Sequence, residues 1–325
     1  MRKLLKILSR EWFLAGMLLA VAIASAAPNL GRSGGLLHID ELSDWGIFTI
    51  FFLHGIGLST EKLKQGFSRW PVHLIVQTFT FVLFPLLFIA LDALIGRHLP
   101  PDLRLGFCYL CVLPSTVSSS VAMTSIARGN VAAAIFNATL STLLGVVATP
   151  LLVRLLLGSS GAGISLGATM LNIATMLLLP FVIGQLLRPV FGKWFAHFKS
   201  TTNAIDRGVI LLLVFGAFSN SVADGLWTRH GPGLIAMTLI GATVILAIVL
   251  GLTRTAAKLC GFSPEDEIAT VFCGSKKTLA SGVPMAKLLF GAHPALGVIV
   301  LPIMFYHQIQ LFVCSILAQR YAARS

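Results

Sequence analysis

The chain has 325 residues, of which 56% are apolar and only 11% charged, with a mean hydropathy of +0.88. This composition excludes an ordinary water-soluble domain and marks an integral membrane protein embedded in a lipid bilayer. The net charge of +12 does not point to nucleic acid, because the basic residues are scattered among short connections and form no soluble basic face.

Apolar runs near 12–27, 44–59, 72–95, 105–126, 131–157, 165–187, 206–223, 233–253, 266–289 and 295–318 predict ten membrane spans. Their length favours helices, since a membrane barrel would show strands of about ten residues alternating apolar and polar side chains. With the N-terminus inside, sixteen basic residues fall on inside segments: Arg2, Lys3, Lys6, Arg10, Lys62, Lys64, Arg69, Arg128, Arg188, Lys193, Lys199, Arg207, Arg254, Lys258, Arg320 and Arg324. Arg32, Arg97, Arg104, Arg154, Arg229 and Lys287 fall outside, and only Lys276 and Lys277 remain. That bias predicts a multi-pass protein of the cell (inner) membrane with both termini cytoplasmic. The opening MRKLLKILSR and the apolar run after it also have the parts of a cleavable secretory signal. Retention as the first span is expected, because the charge bias then holds along the whole chain.

Cys108, Cys111, Cys260, Cys273 and Cys314 lie in or beside spans and say little about redox compartment. The CxxC spacing of Cys108 and Cys111 has no second pair and no nearby histidines, so it reads as small residues packing a helix. The sequence contains no phosphate-binding loop, nucleophile elbow or zinc-protease motif, and points away from an enzyme or a cofactor.

Internal repetition carries more information. The segment from Ser115 to Met123 matches that from Lys277 to Met285 in Thr, Ser, Val and Met positions, and Gly129 and Gly291 keep the same offset of 162 residues. Two copies of five spans follow, 1–157 and 158–325. Five is odd, so the copies must cross the membrane in opposite senses, with the fourth and ninth spans as partners. Both partners carry helix-disturbing runs, Leu113-Pro114-Ser115-Thr116 and Ala280-Ser281-Gly282-Val283-Pro284. Two discontinuous helices crossing near the midplane are expected, their freed backbone groups able to hold ions or polar substrate atoms. The plainer alternative is that Pro and Ser only kink and pack these helices.

The run Ala127-Arg128-Gly129-Asn130-Val131-Ala132, with Ser141 to Leu152 after it, resembles spans four and five of the bile acid:sodium symporter family. The ending Phe305-Tyr306-His307-Gln308 resembles the aromatic-His-Asn of that family's last span. The run from Gly274 to Pro284 is similar to the divergent branch that holds bacterial sodium-dependent transporters and the seventh member of solute carrier family ten. The resemblance implies a panel of spans 1, 2, 6 and 7 and a core of spans 3 to 5 and 8 to 10. It also exposes a departure. Where sodium-coupled members offer a glutamate and a glutamine from span nine, it places Cys273 and Lys277; their Ser-Asn falls on Ser120-Val121, their span-five hydroxyls near Ala134 and Ala138, and their span-three glutamine on Thr80, with Gln77 a turn earlier. Most sodium ligands are missing. The nearest carboxylates, Glu265-Asp266-Glu267, stand at the start of the span, and calcium meets the same objection.

An ionisable group at membrane depth costs roughly 2.5–3.5 kcal/mol on insertion scales and normally marks function. Adjacent lysines on a regular helix point about 100° apart, so Lys276 and Lys277 need separate partners unless the helix breaks between them. Asp92, toward the end of span three, is the nearest acidic candidate. Three readings stay open: a lysine ammonium replaces sodium as the fixed charge at the crossover, one lysine carries a coupled proton, or both merely snorkel to an interface.

The candidate crossover set is Ser115, Thr116, Ser118, Ser119, Ser120, Asn137, Cys273, Lys276, Lys277, Thr278, Ser281, His307 and Gln308. Asn137 is the expected buried amide, and His307 is a candidate substrate contact or proton relay. Ser141 and Gln310 are polar at plausible depth, while His54 and Asn172 read as panel packing. The leading expectation is a secondary transporter of a small organic anion, with a proton or sodium as the candidate coupled ion. The alternative is a non-transporting membrane regulator or scaffold, which internally satisfied lysines would favour.

Overall fold

The computed structural model describes residues 12–57, 68–157, 171, 174–291 and 293–323. Arg2, Lys3, Lys6, Arg10, Lys62, Lys64, Asn172, Arg324 and most of the start of the sixth span lie outside the described residues, as does Gly158 at the repeat boundary. The described residues are helical and contain no strand.

In chain order the longer helices are α1 (Trp12–Ala26), α2 (Ile39–Gly57), α3 (Trp70–Thr78), α4 (Phe84–Ile95), α5 (Pro101–Val112), α6 (Ser118–Ile126) and α7 (Val131–Leu157). They continue with α8 (Leu179–His197), α9 (Lys199–Ala223), α10 (Leu226–Leu259, kinked at Gly231, whose φ of 60° is not helical), α11 (Pro264–Gly274), α12 (Gly282–Phe290) and α13 (Leu296–Ala322). A π-helical turn, Phe79–Leu83, joins α3 to α4 without a break. A second, Ala174–Leu178, precedes α8.

Among the described residues, six helical stretches are long and apolar enough to cross a bilayer: Trp70–His98, Val131–Leu157, Thr175–Gly192, Ser200–Ala223, Gly231–Leu259 and Leu296–Ala322. The other four expected spans fall short for identifiable reasons. The apolar part of α1 is only Ala15–Ala26. Helix α2 begins with Asp40 and Glu41 in its first turn, which lowers its hydropathy. The fourth span is divided into α5 and α6, of 12 and 9 residues, and the ninth into α11 and α12, of 11 and 9. The chain is a multi-pass membrane protein.

The chain divides into two compact units. One holds the described residues of 1–58, 167–231 and 283–298. In it α2 and α8 approach backbone to backbone, with Gly55 against the Phe181 carbonyl and Gly184 against that of Phe52, contacts that leave no room for a Cβ. His54 lies 3.3 Å from Asp206, and Lys287 Nζ donates to Asp44 Oδ1 at 2.7 Å and to the Asp40 carbonyl at 2.9 Å. The second unit holds the described residues of 59–166, 232–282 and 299–325. It contains Lys276, Lys277 and both helix breaks.

Candidate functional site

Helix α5 stops because Pro114 has no N–H and drives the residue before it out of the helical region; Leu113 is extended, with φ −69° and ψ 151°. The ninth span opens between Gly274 and Gly282. The two openings bond to each other. Thr278 N–H donates to the Pro114 carbonyl at 3.0 Å, Ser115 Oγ to the Cys273 carbonyl at 2.6 Å, and Ser120 Oγ to the Phe272 carbonyl at 3.1 Å.

Buried backbone groups released by a broken helix need partners, and side chains from neighbouring helices supply them. Ser115 N–H donates to Ser141 Oγ at 2.9 Å, Tyr109 donates its hydroxyl to the Gly282 carbonyl at 2.6 Å, and Tyr306 to the Ser275 carbonyl at 2.7 Å. Gln310 holds both backbone groups of one residue: Lys277 N–H donates to its Oε1 at 2.9 Å, and its Nε2 donates to the Lys277 carbonyl at 2.8 Å.

The Lys277 side chain is fully buried. Its Nζ donates to the carbonyls of Thr80 at 2.9 Å, Cys111 at 3.0 Å and Leu113 at 2.6 Å, so each ammonium hydrogen has an acceptor. It also lies 3.9 Å from the centre of the Phe84 ring. The acceptors follow from the local fold. Cys111 and Leu113 stand at the C-terminal end of α5, where carbonyls lose their helical partners and the helix dipole favours a cation. Thr80 is released differently. Phe84 N–H bonds the Phe79 carbonyl in the π register, and in that register residue 85 would bond Thr80, but Pro85 has no N–H.

Both lysines lie in the opening and not on a helix, so the 100° offset of a regular helix does not apply to them. Lys276 Nζ has its own partner, donating to the Ser119 carbonyl at 2.8 Å with the Phe272 ring 5.4 Å away. Among the described residues neither lysine has a carboxylate within ion-pair distance. Asp92, the expected acidic partner, is instead held by Arg104 Nε and Nη2, because the turn after α4 brings the start of α5 back beside it.

The other predicted residues divide. Thr116 accepts from Ser119 Oγ at 3.2 Å, and Thr278 Oγ1 accepts from Ser281 N–H at 3.4 Å, both within the breaks. Ser118 is exposed at the start of α6. Asn137 is buried but bonds to neither lysine, donating to the Ala133 carbonyl at 3.0 Å, while Gln77 Nε2 donates to its carbonyl at 3.1 Å. His307 is half-buried with Nδ1 3.0 Å from Gln310 Nε2, and Gln308 Nε2 is buried without a hydrogen-bond partner among the described residues. Cys273, Ala134 and Val121 pack with Val72, Val76, Ala133 and Ala269 in an apolar cluster. Among the described residues no group of three or more His, Cys, Asp or Glu could hold a metal ion. Sequence reasoning left Gln310, Tyr109, Tyr306 and Ser141 out of the site; the Phe84-Pro85 step in span three was the available signal for the released Thr80 carbonyl.

The chain is 48% identical to the uncharacterized protein PA2026 of Pseudomonas aeruginosa over 96% of this chain and 93% of that protein. It is 43% identical to YfeH of Escherichia coli, which carries the word symporter in its name, over 98% of this chain and 94% of the other. It is 32% identical to sodium/bile acid cotransporter 7 of Xenopus tropicalis over 97% and 92%. Residues 11–323 match the family described as SBF-like CPA transporters, a match that takes in every span and both meeting breaks. The chain therefore belongs to the SBF-like CPA transporter family.

Proposed function

We propose that this transporter carries a small organic anion by alternating access, with the Lys277 ammonium serving as a built-in cation where sodium-coupled relatives bind sodium. The observation that carries this reading is the seat of Lys277 Nζ on three backbone carbonyls from two separate segments, an all-oxygen arrangement suited to a monovalent cation. The apolar cluster at Cys273, Ala134 and Val121 supports it, since that position offers no ligand set for a second ion. Gln308 Nε2 and the exposed Ser118 at the start of α6 are donors left for an anion. Movement of a core formed by spans 3 to 5 and 8 to 10 against a panel of spans 1, 2, 6 and 7 is supported in part by the composition of the two compact units, one of which gathers 1–58 and 167–231 but also takes 283–298 of spans nine and ten. The names of relatives make a bile acid such as taurocholate the first transport probe.

The test is the thermal stability of the purified protein in sodium, potassium and choline chloride at matched ionic strength and pH, repeated on Lys277→Ala. A ligand bound only by the folded state adds RT ln(1 + [L]/Kd). The expected result is no sodium response in the wild type and a concentration-dependent one in the variant. A sodium response in the wild type would remove the built-in cation.

The internal satisfaction of Lys277, whose three ammonium hydrogens all have carbonyls, is what a second reading, a non-transporting regulator or scaffold, would rest on, while the transporter relatives weigh against it. Labelling of a Ser118→Cys variant from each side of proteoliposomes separates the two. A carrier exposes the site to both sides in turn, and a static scaffold to one.

A further inference from the structure

Resting on the carrier reading, we propose that the coupled ion is a proton, that it binds His307 Nδ1, and that its arrival opens the Gln310 grip on the ninth-span break. The orientation of the Gln310 amide is fixed by main-chain atoms. The Lys277 N–H can only donate, and it meets Oε1 at 2.9 Å; the Lys277 carbonyl can only accept, and it meets Nε2 at 2.8 Å. The usual exchange of amide oxygen and nitrogen is therefore not open. One Nε2 hydrogen goes to the Lys277 carbonyl. His307 Nδ1 lies 3.0 Å from the same nitrogen and faces its second hydrogen, so Nδ1 presents a lone pair and the neutral ring carries its hydrogen on Nε2.

A proton added at Nδ1 puts N–H against N–H. If the amide turns over to accept it, Lys277 N–H faces an NH2 group and its carbonyl faces an oxygen, and both grips are lost. If the ring swings away, the Gln310–His307 bond is lost. Turnover of the amide is the outcome that releases Lys277, since a ring that merely swings away leaves both Gln310–Lys277 bonds in place. Histidine ordinarily changes charge between pH 5 and 8, and His307 is half-buried while Gln310 and Lys277 are fully buried. The proton thus has a reachable receiver connected to an enclosed one.

Lys277 is unsuited to the same task, because each of its ammonium hydrogens already has a carbonyl. Lys276 is the rival, with one carbonyl acceptor and an aromatic ring. Among the described residues, the titratable groups brought to the break by the surrounding elements are Lys276 and Lys277 themselves, Tyr109 and Cys111 of α5, Cys273 of α11, and Tyr306 and Cys314 of α13.

The experiment uses the full chain in lipid nanodiscs with 15N-labelled histidine and lysine, from pH 8 to pH 5, on the wild type, His307→Gln, Gln310→Met and Lys276→Met. Expected in the wild type are the Nε2–H tautomer of His307 at pH 8 and a Lys277 amide signal that moves as the ring gains its proton. That movement should vanish in His307→Gln and survive in Lys276→Met. In Gln310→Met the ring should titrate with the Lys277 amide unmoved, which keeps the test informative should His307→Gln fail to fold. In proteoliposomes, the two-sided labelling ratio of Ser118→Cys should shift at least about threefold between pH 7.5 and 5.5 and stay constant when His307→Gln is added. An Nδ1–H tautomer at pH 8, a Lys277 response unchanged in His307→Gln, or a response lost only in Lys276→Met would each overturn the proposal. Sodium-dependent stability of the wild type would remove the built-in cation instead, and is read by a different signal.

Discussion

Lys277 Nζ lies 2.6 Å from the carbonyl oxygen of Leu113, so the charge of the ninth span is seated on the broken end of the fourth. Neither break is stable alone: α5 ends in carbonyls without helical donors, and the ninth span carries an ammonium without a carboxylate. Each supplies what the other lacks.

Replacing the ammonium tests this directly. Lys277→Met keeps the length of the apolar stem and leaves the Thr80, Cys111 and Leu113 carbonyls without their donor. The expected cost is about 3 kcal/mol or more, since each of the three enclosed carbonyls loses its donor at roughly 1–3 kcal/mol apiece, partly offset because the buried charge goes with it. Lys277→Arg should not restore it, because a planar guanidinium cannot put three donors on acceptors gathered around a single point. Denaturant titration in one fixed detergent measures both.

The Thr80 contribution can be isolated through Pro85. In Pro85→Ala the new N–H offers the Thr80 carbonyl a helical partner, so losing the ammonium afterwards strands one acceptor fewer. Lys277→Met should therefore cost about 1–1.5 kcal/mol less in the Pro85→Ala background than in the wild type, the net worth of one hydrogen bond. Strict additivity of the two substitutions would mean that Pro85 plays no part in releasing Thr80.

Much of this was legible in the residues. Pro114 and the Ser281-Gly282-Val283-Pro284 run announced two interruptions, and the similar segments around them pointed to a relation between the two. Charge and hydropathy identified the membrane but could not assign partners to Lys276 and Lys277, since backbone carbonyls leave no trace in side-chain identity. Asp92 looked available because its pairing with Arg104 depends on a turn between α4 and α5 that hydropathy alone does not define. Gln310 looked like one polar residue among several; its role follows from the angular position of α13 beside the break.

The Asp92 correction carries its own test. The Arg104 side chain is 53% exposed and that of Asp92 18%, so their two-point ion pair is partly screened and worth about 1 kcal/mol, the upper end of the surface range. Asp92→Asn should shift stability by no more than that and leave the sodium response of the protein as it was. A loss comparable to that of Lys277→Met would return Asp92 to the lysines as their counter-charge.

Tyr109 and Tyr306 mark the two ends of the ninth-span opening, binding the Gly282 and Ser275 carbonyls through single hydroxyls in fully buried positions. A Phe substitution preserves the ring and its packing and removes only the donor, which leaves one enclosed carbonyl unpaired. Each change should cost about 1–2 kcal/mol. Their sum is the informative quantity. If the opening behaves as one rigid unit held at both ends, the double variant will depart from additivity, because the first release lets the segment relax and lowers the cost of the second. Additive losses would describe two independent bonds, with the segment between them held by Gln310 and Lys277 alone.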